Sequence, residues 1–194
     1  MYVLVMSRFG SDAAIIHVHG QEASDLDALF KRMCEAVEEY EGQSAASIYA
    51  SLCALLSIPA DPTFMQHCVS NGTELDLSRS YLGLAGFVCA CSVLPLCTNT
   101  RTISLQKSRI STPLVRILCI AAGKLRQLVC VDLSSNPFGS MGAQSLISLA
   151  YKNPSLVEVS IDYCQIVATF RKKLSQALLW NQRKKRNDVT AEMN

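Results

Sequence analysis

The chain repeats itself every 28 residues, and that period limits its fold more than any other feature. Leu75, Ile103, Val131 and Val159 are spaced by 28; so are Leu77, Leu105, Leu133 and Ile161, and again Leu82, Ile110, Phe138 and Ile166. The first two columns lie two residues apart, the alternation of a short strand with one buried face. The second half of each unit carries Ala90, Leu118, Leu146 and Leu174, followed four residues on by Leu94, Ala122, Ala150 and Leu178. Apolar columns at i and i+4 belong to one face of an α-helix. A unit this short cannot bury its apolar face alone, so units must stack. The predicted fold class is therefore α/β, with parallel strands along one face and helices along the other.

One stretch, Leu128-Val129-Cys130-Val131-Asp132-Leu133-Ser134-Ser135-Asn136-Pro137-Phe138, is the best copy of the unit. It follows L-x-x-L-x-L-x-x-N-x-L, with Val and Phe in place of two Leu. Asn136 falls where the chain leaves the strand, and its amide can satisfy backbone groups of the neighbouring coil. The same column elsewhere reads Ser80, Ser108 and Cys164. A 28-residue unit with a true helix resembles the ribonuclease-inhibitor-like class of leucine-rich repeat proteins, over roughly residues 61–182. The resemblance implies a short solenoid of about four repeats across residues 73–182, its strands concave and its helices convex. Ser80 and Ser108 depart from the pattern and weaken the expected hydrogen-bond ladder there.

Three further segments surround the repeats. Residues 1–20 hold two apolar runs, Tyr2–Met6 and Ala13–Val18, broken at Gly10-Ser11-Asp12, which predicts a hairpin or docking arm. Residues 21–72 predict a helical N-terminal cap. In its first helix Leu26, Leu29, Phe30, Met33, Val37 and Tyr40 form one stripe, and Ser24 with Asp27 resembles a capping box. Glu35, Glu38, Glu39 and Glu41 make the other face of that helix acidic, as a solvated face is. Ala45–Ser57 predicts a second helix, and Asp61-Pro62 starts a third over Thr63–Val69. The last predicted helix is Ala168–Asn181, and residues 183–194 read as a basic, polar tail after it.

Composition narrows the function. A net charge of +2 gives no bulk attraction to nucleic acid or to a membrane surface, and no apolar run reaches the length of a spanning helix. Nine cysteines, an odd number with no C-x-x-C pair, lie mostly inside apolar patterns; they predict a reduced, intracellular protein without metal. The Asn71-Gly72-Thr73 sequon is then idle. His17 and His19 alternate on a predicted strand, but His67 is the only other histidine, so a zinc centre lacks ligands. Ser104-Leu-Gln-Lys107 has the spacing of a Ser/Lys nucleophile motif but sits on a repeat strand instead of opening a helix. No cofactor loop or catalytic grouping emerges, and the expectation is a protein that is not an enzyme.

The expected working surface is the concave floor. Its columns read Glu74, Thr102, Cys130, Glu158; Asp76, Ser104, Asp132, Ser160; Ser78, Gln106, Ser134, Asp162; and Arg79, Lys107, Ser135, Tyr163. The candidate partner-binding residues are Glu74, Asp76, Arg79, Thr102, Ser104, Lys107, Asp132, Ser134, Glu158, Asp162 and Tyr163. Trp180 joins them, as a partner contact or a lid on the last repeat. The resemblance implies a non-enzymatic interaction module, a structural or adaptor subunit of a multi-protein assembly of cytoskeletal or ciliary kind. The alternative it leaves open is a regulatory inhibitor or GTPase-activating module, whose horseshoes are usually longer.

Overall fold

A computed structural model of the chain describes residues 2–4, 15–17 and 23–192, with side chains for 24–187. Strands β1 (Tyr2–Leu4) and β2 (Ile15–His17) pair antiparallel, Tyr2 opposite His17. The expected turn at Gly10-Ser11-Asp12, and His19, lie outside the described residues.

The main sheet has four parallel strands in chain order: β3 (Glu74–Asp76), β4 (Thr102–Ser104), β5 (Cys130–Asp132) and β6 (Glu158–Ser160). Leu75 pairs with Ile103, Ile103 with Val131 and Val131 with Val159, so the sheet register is the 28-residue period itself. Parallel neighbours need a crossover, and here each is helical. Helix α4 (Gly83–Val93), extended by a 3₁₀ turn at Leu94–Leu96, joins β3 to β4. Helix α5 (Thr112–Ala122) joins β4 to β5, and α6 (Ser140–Lys152) joins β5 to β6. This is an α/β fold with strands and helices in separate layers.

Between the layers runs one apolar core. Leu75, Ile103 and Val131 point into it from the strands, and Ala90, Leu118, Leu146 and Leu174 from the helices. Fully burying a side chain the size of Val or Leu stabilises by about 1.5–3 kcal/mol, and this geometry repeats that gain at every unit. Val159 is only half-buried because β6 has no strand beyond it.

Three helices stand before β3: α1 (Ala23–Glu39), α2 (Ala45–Leu55) and α3 (Pro62–Ser70). Ser44 caps α2 by accepting from Ser47 N–H, and Asp61 caps α3 from Phe64 N–H at 2.8 Å, with Pro62 in the first turn. The Leu26–Met33 stripe of α1 packs on α4 and α5. The capping box expected at Ser24 and Asp27 does not form: α1 starts one residue earlier, and Asp27 pairs with Arg116 of α5 instead. Glu35, Glu38, Glu39 and Glu41 are exposed, and Glu35 meets Lys31 at 3.8 Å.

The last helix, α7 (Ala168–Glu192), does not stop at Asn181. The expected basic tail continues it, since Gln182, Arg183, Lys184, Lys185 and Arg186 are all good helix formers with no Gly or Pro among them.

Candidate interaction surface

The strand residues that face away from the core form two rows straight across the sheet. Glu74, Thr102, Cys130 and Glu158 are paired neighbours, as are Asp76, Ser104, Asp132 and Ser160. Glu74, Asp76 and Glu158 are exposed; Thr102, Ser104 and Asp132 are half-buried. Two of the carboxylates close small turns at the strand exits. Asp76 Oδ1 accepts from Ser78 N–H at 2.9 Å, and Asp132 Oδ1 accepts from Ser134 N–H at 2.8 Å. The hydrogen bonds from Ser78, side chain first, hold Asp76 below the usual carboxylate range, so it stays ionised at neutral pH. Burial, then the carboxylates of Glu158 and Asp132, push the Cys130 thiol up. A thiol so placed is a poor nucleophile.

Beyond the strands, the expected columns bend. Ser134 is not on the surface: it is 5 % exposed. Each strand is only three residues long, and inward-outward alternation stops where the chain begins to turn. Ser134 sits in that turn, its carbonyl accepting from Lys107 N–H at 3.0 Å. The next column does not lie on the strands. Lys107, Ser135 and Tyr163 hold φ of 57°, 60° and 59°, a left-handed turn recurring at the 28-residue period. That conformation costs a non-glycine residue roughly 1–2 kcal/mol. Lys107, Asp162 and Tyr163 are exposed there, Tyr163 by 89 %, and so is Arg79 at the same place after β3, which does not share the left-handed φ. The floor is therefore acidic, and Arg79, Lys107 and Arg109 form a basic margin beside it.

Trp180 belongs to the other layer. It lies on α7, 67 % exposed beside the half-exposed Leu179, and so is not a lid over the last unit. Lys184 stands one helical turn further on.

The side chains that join the units go beyond the one asparagine seen in the sequence. Asn136 Oδ1 accepts from Ile110 N–H at 2.9 Å, while its Nδ2 donates to Leu105 O at 2.8 Å and Leu133 O at 2.9 Å. In the same column Ser108 Oγ donates to Leu77 O at 3.3 Å, and Cys164 Sγ to Leu133 O at 3.2 Å. A second asparagine ladder stands beside the C-termini of α5 and α6. Asn153 Nδ2 donates to Leu125 O at 2.8 Å; Asn181 Nδ2 donates to Ala150 O and Leu156 O, both at 2.8 Å. The signal was available, because these two residues are also 28 apart. The guanidinium of Arg171 is likewise spent on carbonyls. It donates to Ile161 O at 3.0 Å, Cys164 O at 2.8 Å and Ile166 O at 3.3 Å.

Other sequence candidates take structural places. Asn71 of the sequon ends α3 at φ 45° and accepts from Asn99 N–H at 3.3 Å. His67 is buried between Glu74 O, 3.2 Å from Nδ1, and Thr100 Oγ1, 2.8 Å from Nε2. Gly86 and Gly142 lie inside α4 and α6 and are buried. Cys68 and Cys97 face one another at 3.8 Å between sulfurs as free thiols. Among the described residues no group of three or more His, Cys, Asp or Glu is arranged to hold a metal ion, and no helix is long and apolar enough to cross a membrane.

Comparison with known proteins gives a likeness of fold. No protein-family model matches the chain, and no curated protein matches it. Among solved structures, the chain is similar to one described as "Leiomodin-1 Actin-Binding Site 2 (ABS2)", with a TM-score of 0.53 and 15 % sequence identity. The match covers 66 % of this chain and 92 % of that one. At that identity what the two share is the fold: parallel strands backed by crossover helices.

Proposed function

We propose that the chain is a non-enzymatic protein–protein interaction module, a structural or adaptor subunit of a cytoskeletal assembly, built as a short leucine-rich repeat solenoid of the ribonuclease-inhibitor-like class. The observation that carries this reading is the polar sheet face: two cross-strand rows from Glu74 to Glu158 and from Asp76 to Ser160, bordered by Arg79, Lys107 and Tyr163. Parallel units place those side chains at fixed strand spacing, ~4.8 Å per strand, so a partner meets a rigid row of charges on paired strands. The fold likeness to a chain described as an actin-binding site supports a cytoskeletal partner and makes actin the first one to test.

The test is co-sedimentation with filamentous actin and, separately, binding to monomeric actin. It uses the full chain and a double variant, Asp76→Lys with Asp132→Lys. The wild type is expected to bind one form of actin, and the variant to lose at least tenfold in affinity, the effect of reversing two charges at an interface. If neither form binds, actin is excluded. Cross-linking and affinity purification from the native source then decide the wider reading, and a chain recovered alone overturns it.

A further inference from the structure

The junction between the first two strand–helix units is open where the next junction is closed. Between the second and third units, the Asn136 amide bridges Ile110 N–H and Leu105 O. Phe138, fully buried, packs so tightly there that a Cβ on Gly142 would fall 2.7 Å from its Cδ2. One period earlier the asparagine is Ser108 and the phenylalanine is Ile110. These shorter side chains leave a cavity of about 140 Å³. Leu77, Phe87, Leu105 and Ile110 form its buried floor, and Tyr81, 87 % exposed, stands with the exposed Arg109 at its mouth.

We infer that this cavity is an anchor pocket for a protein partner, taking a leucine- or phenylalanine-sized side chain that has a carboxylate next to it. The inference rests on reading the chain as an interaction module and adds where, and by what chemistry, a partner is gripped. Size comes first: an apolar cavity of about 150 Å³ is enough to hold a benzene ring. Charge decides the rest. Arg109 makes no ion pair among the described residues, and Arg79 and Lys107 occupy neighbouring turns. Arg109 is the charged residue of the pocket's lining, so a carboxylate beside the anchor meets a cation there. The backbone also singles out Arg109. Its φ of 56° is not shared by Tyr81, Pro137 or Gln165 at the same place in the other units, so the left-handed turn here is outside the 28-residue pattern. Strained non-glycine positions of this kind gather at ligand-contacting sites.

The experiment is two-dimensional NMR of the full, isotope-labelled chain, titrated with three small probes. N-acetyl-L-phenylalanine supplies ring and carboxylate, N-acetyl-L-phenylalaninamide only the ring, and N-acetyl-L-aspartate only carboxylates. N-acetyl-L-phenylalanine is expected to give saturable shifts at the amides of Leu82, Gly83 and Ile110 in the millimolar range. The amide should bind about two- to five-fold more weakly, the range of one partly exposed charge pair, and the aspartate should not saturate. Arg109→Gln should remove the difference between acid and amide while leaving ring binding in place. Ser108→Asn restores the bridging residue in the register of Asn136 and should fill the pocket, reducing affinity at least tenfold without loss of thermal stability. Absence of saturable shifts at those amides overturns the inference, as does an acid preference that survives Arg109→Gln. Should Ser108→Asn fail to fold, the Arg109→Gln comparison decides alone. Partner capture by a chain whose pocket binds no probe refutes the pocket and spares the interaction reading; probe binding without any partner does the reverse.

Discussion

The two ends of the parallel sheet are finished by different chemistry. Before β3, the core simply continues: Leu52, Phe64 and Tyr49 are fully buried in α2 and α3, with the Tyr49 and Phe64 rings edge-on at 4.7 Å. After β6 the apolar contribution shrinks to Leu174, Ala177 and Leu178 of α7, and side-chain hydrogen bonds complete the end of the stack. Arg171 takes three carbonyls of the last turn, Asn181 reaches back to α6 and the turn before β6, and Gln182 Nε2 donates to Val157 O at 2.9 Å. An apolar cap is cooperative with the core it extends, whereas a polar cap answers backbone groups one by one. The ends should therefore fail in different ways when cut.

The largest effect belongs to the apolar end. Phe64→Ala removes a fully buried ring from α3 and should destabilise by roughly 3–5 kcal/mol. Because α2 and α3 share their core with α4, the loss should appear as a lowered midpoint for the whole domain in urea denaturation. A midpoint within error of wild type would show that the first helices fold apart from the sheet.

Asn181→Ala comes next. It strips partners from Ala150 O and Leu156 O inside a buried site, where each unsatisfied group costs about 1–3 kcal/mol. Hydrogen exchange should accelerate in α7 and at the end of α6 more than in α2. Uniform acceleration through all the helices would mean that the two ends are one cooperative unit, and the contrast drawn above would fail.

Arg171→Gln should be milder, about 1–2 kcal/mol, because Arg171 is itself only half-buried and water can follow the shorter side chain to its carbonyls. Its distinctive readout is local: fastest exchange around residues 161–167, with the urea midpoint lowered less than by Phe64→Ala. A fall in the midpoint as large as that of Phe64→Ala would contradict the description of this end as a hydrogen-bonded one.

How much of this was legible in the sequence depends on which residues carry it. The columns from Leu75 to Val159 and from Ala90 to Leu174 were, because strand and helix bury one face each and both obey one period. Ser134 was misplaced by the same logic carried one step too far, since alternation holds only for residues that stay in the strand. Asn153 and Asn181 follow the period as faithfully as any leucine, but a polar residue at helical spacing reads as solvated until its acceptors are seen. Arg171 gave no pattern at all: among basic neighbours, only the positions of three carbonyls mark it as a cap. The open junction at Ser108 was visible as a weakened ladder, though its volume depends on Ile110 standing where Phe138 stands one unit later.

The smallest effect expected is a pH dependence confined to the apolar end, because a single proton is at stake. His67 of α3 bridges to β3 and to the turn before β4, through Glu74 O and Thr100 Oγ1. Thr100 Oγ1 itself donates to Cys97 O at 2.8 Å, so it is an acceptor toward Nε2–H. A neutral ring with its proton there has none left for Glu74 O. The imidazolium would satisfy both acceptors, but burial outweighs that gain and lowers the His67 pKa below its ordinary 6.5. With the folded value depressed, the unfolded chain takes up the proton first as pH falls. Stability from this group is full above 6.5 and is lost as pH drops through the folded value. The urea midpoint of the wild type should fall across that window, and His67→Gln, which cannot titrate, should show a shallower fall. Equal slopes in the two proteins would remove His67 as a source, and a steeper fall in the variant would mean that the paired imidazolium, not the buried neutral ring, is the folded form.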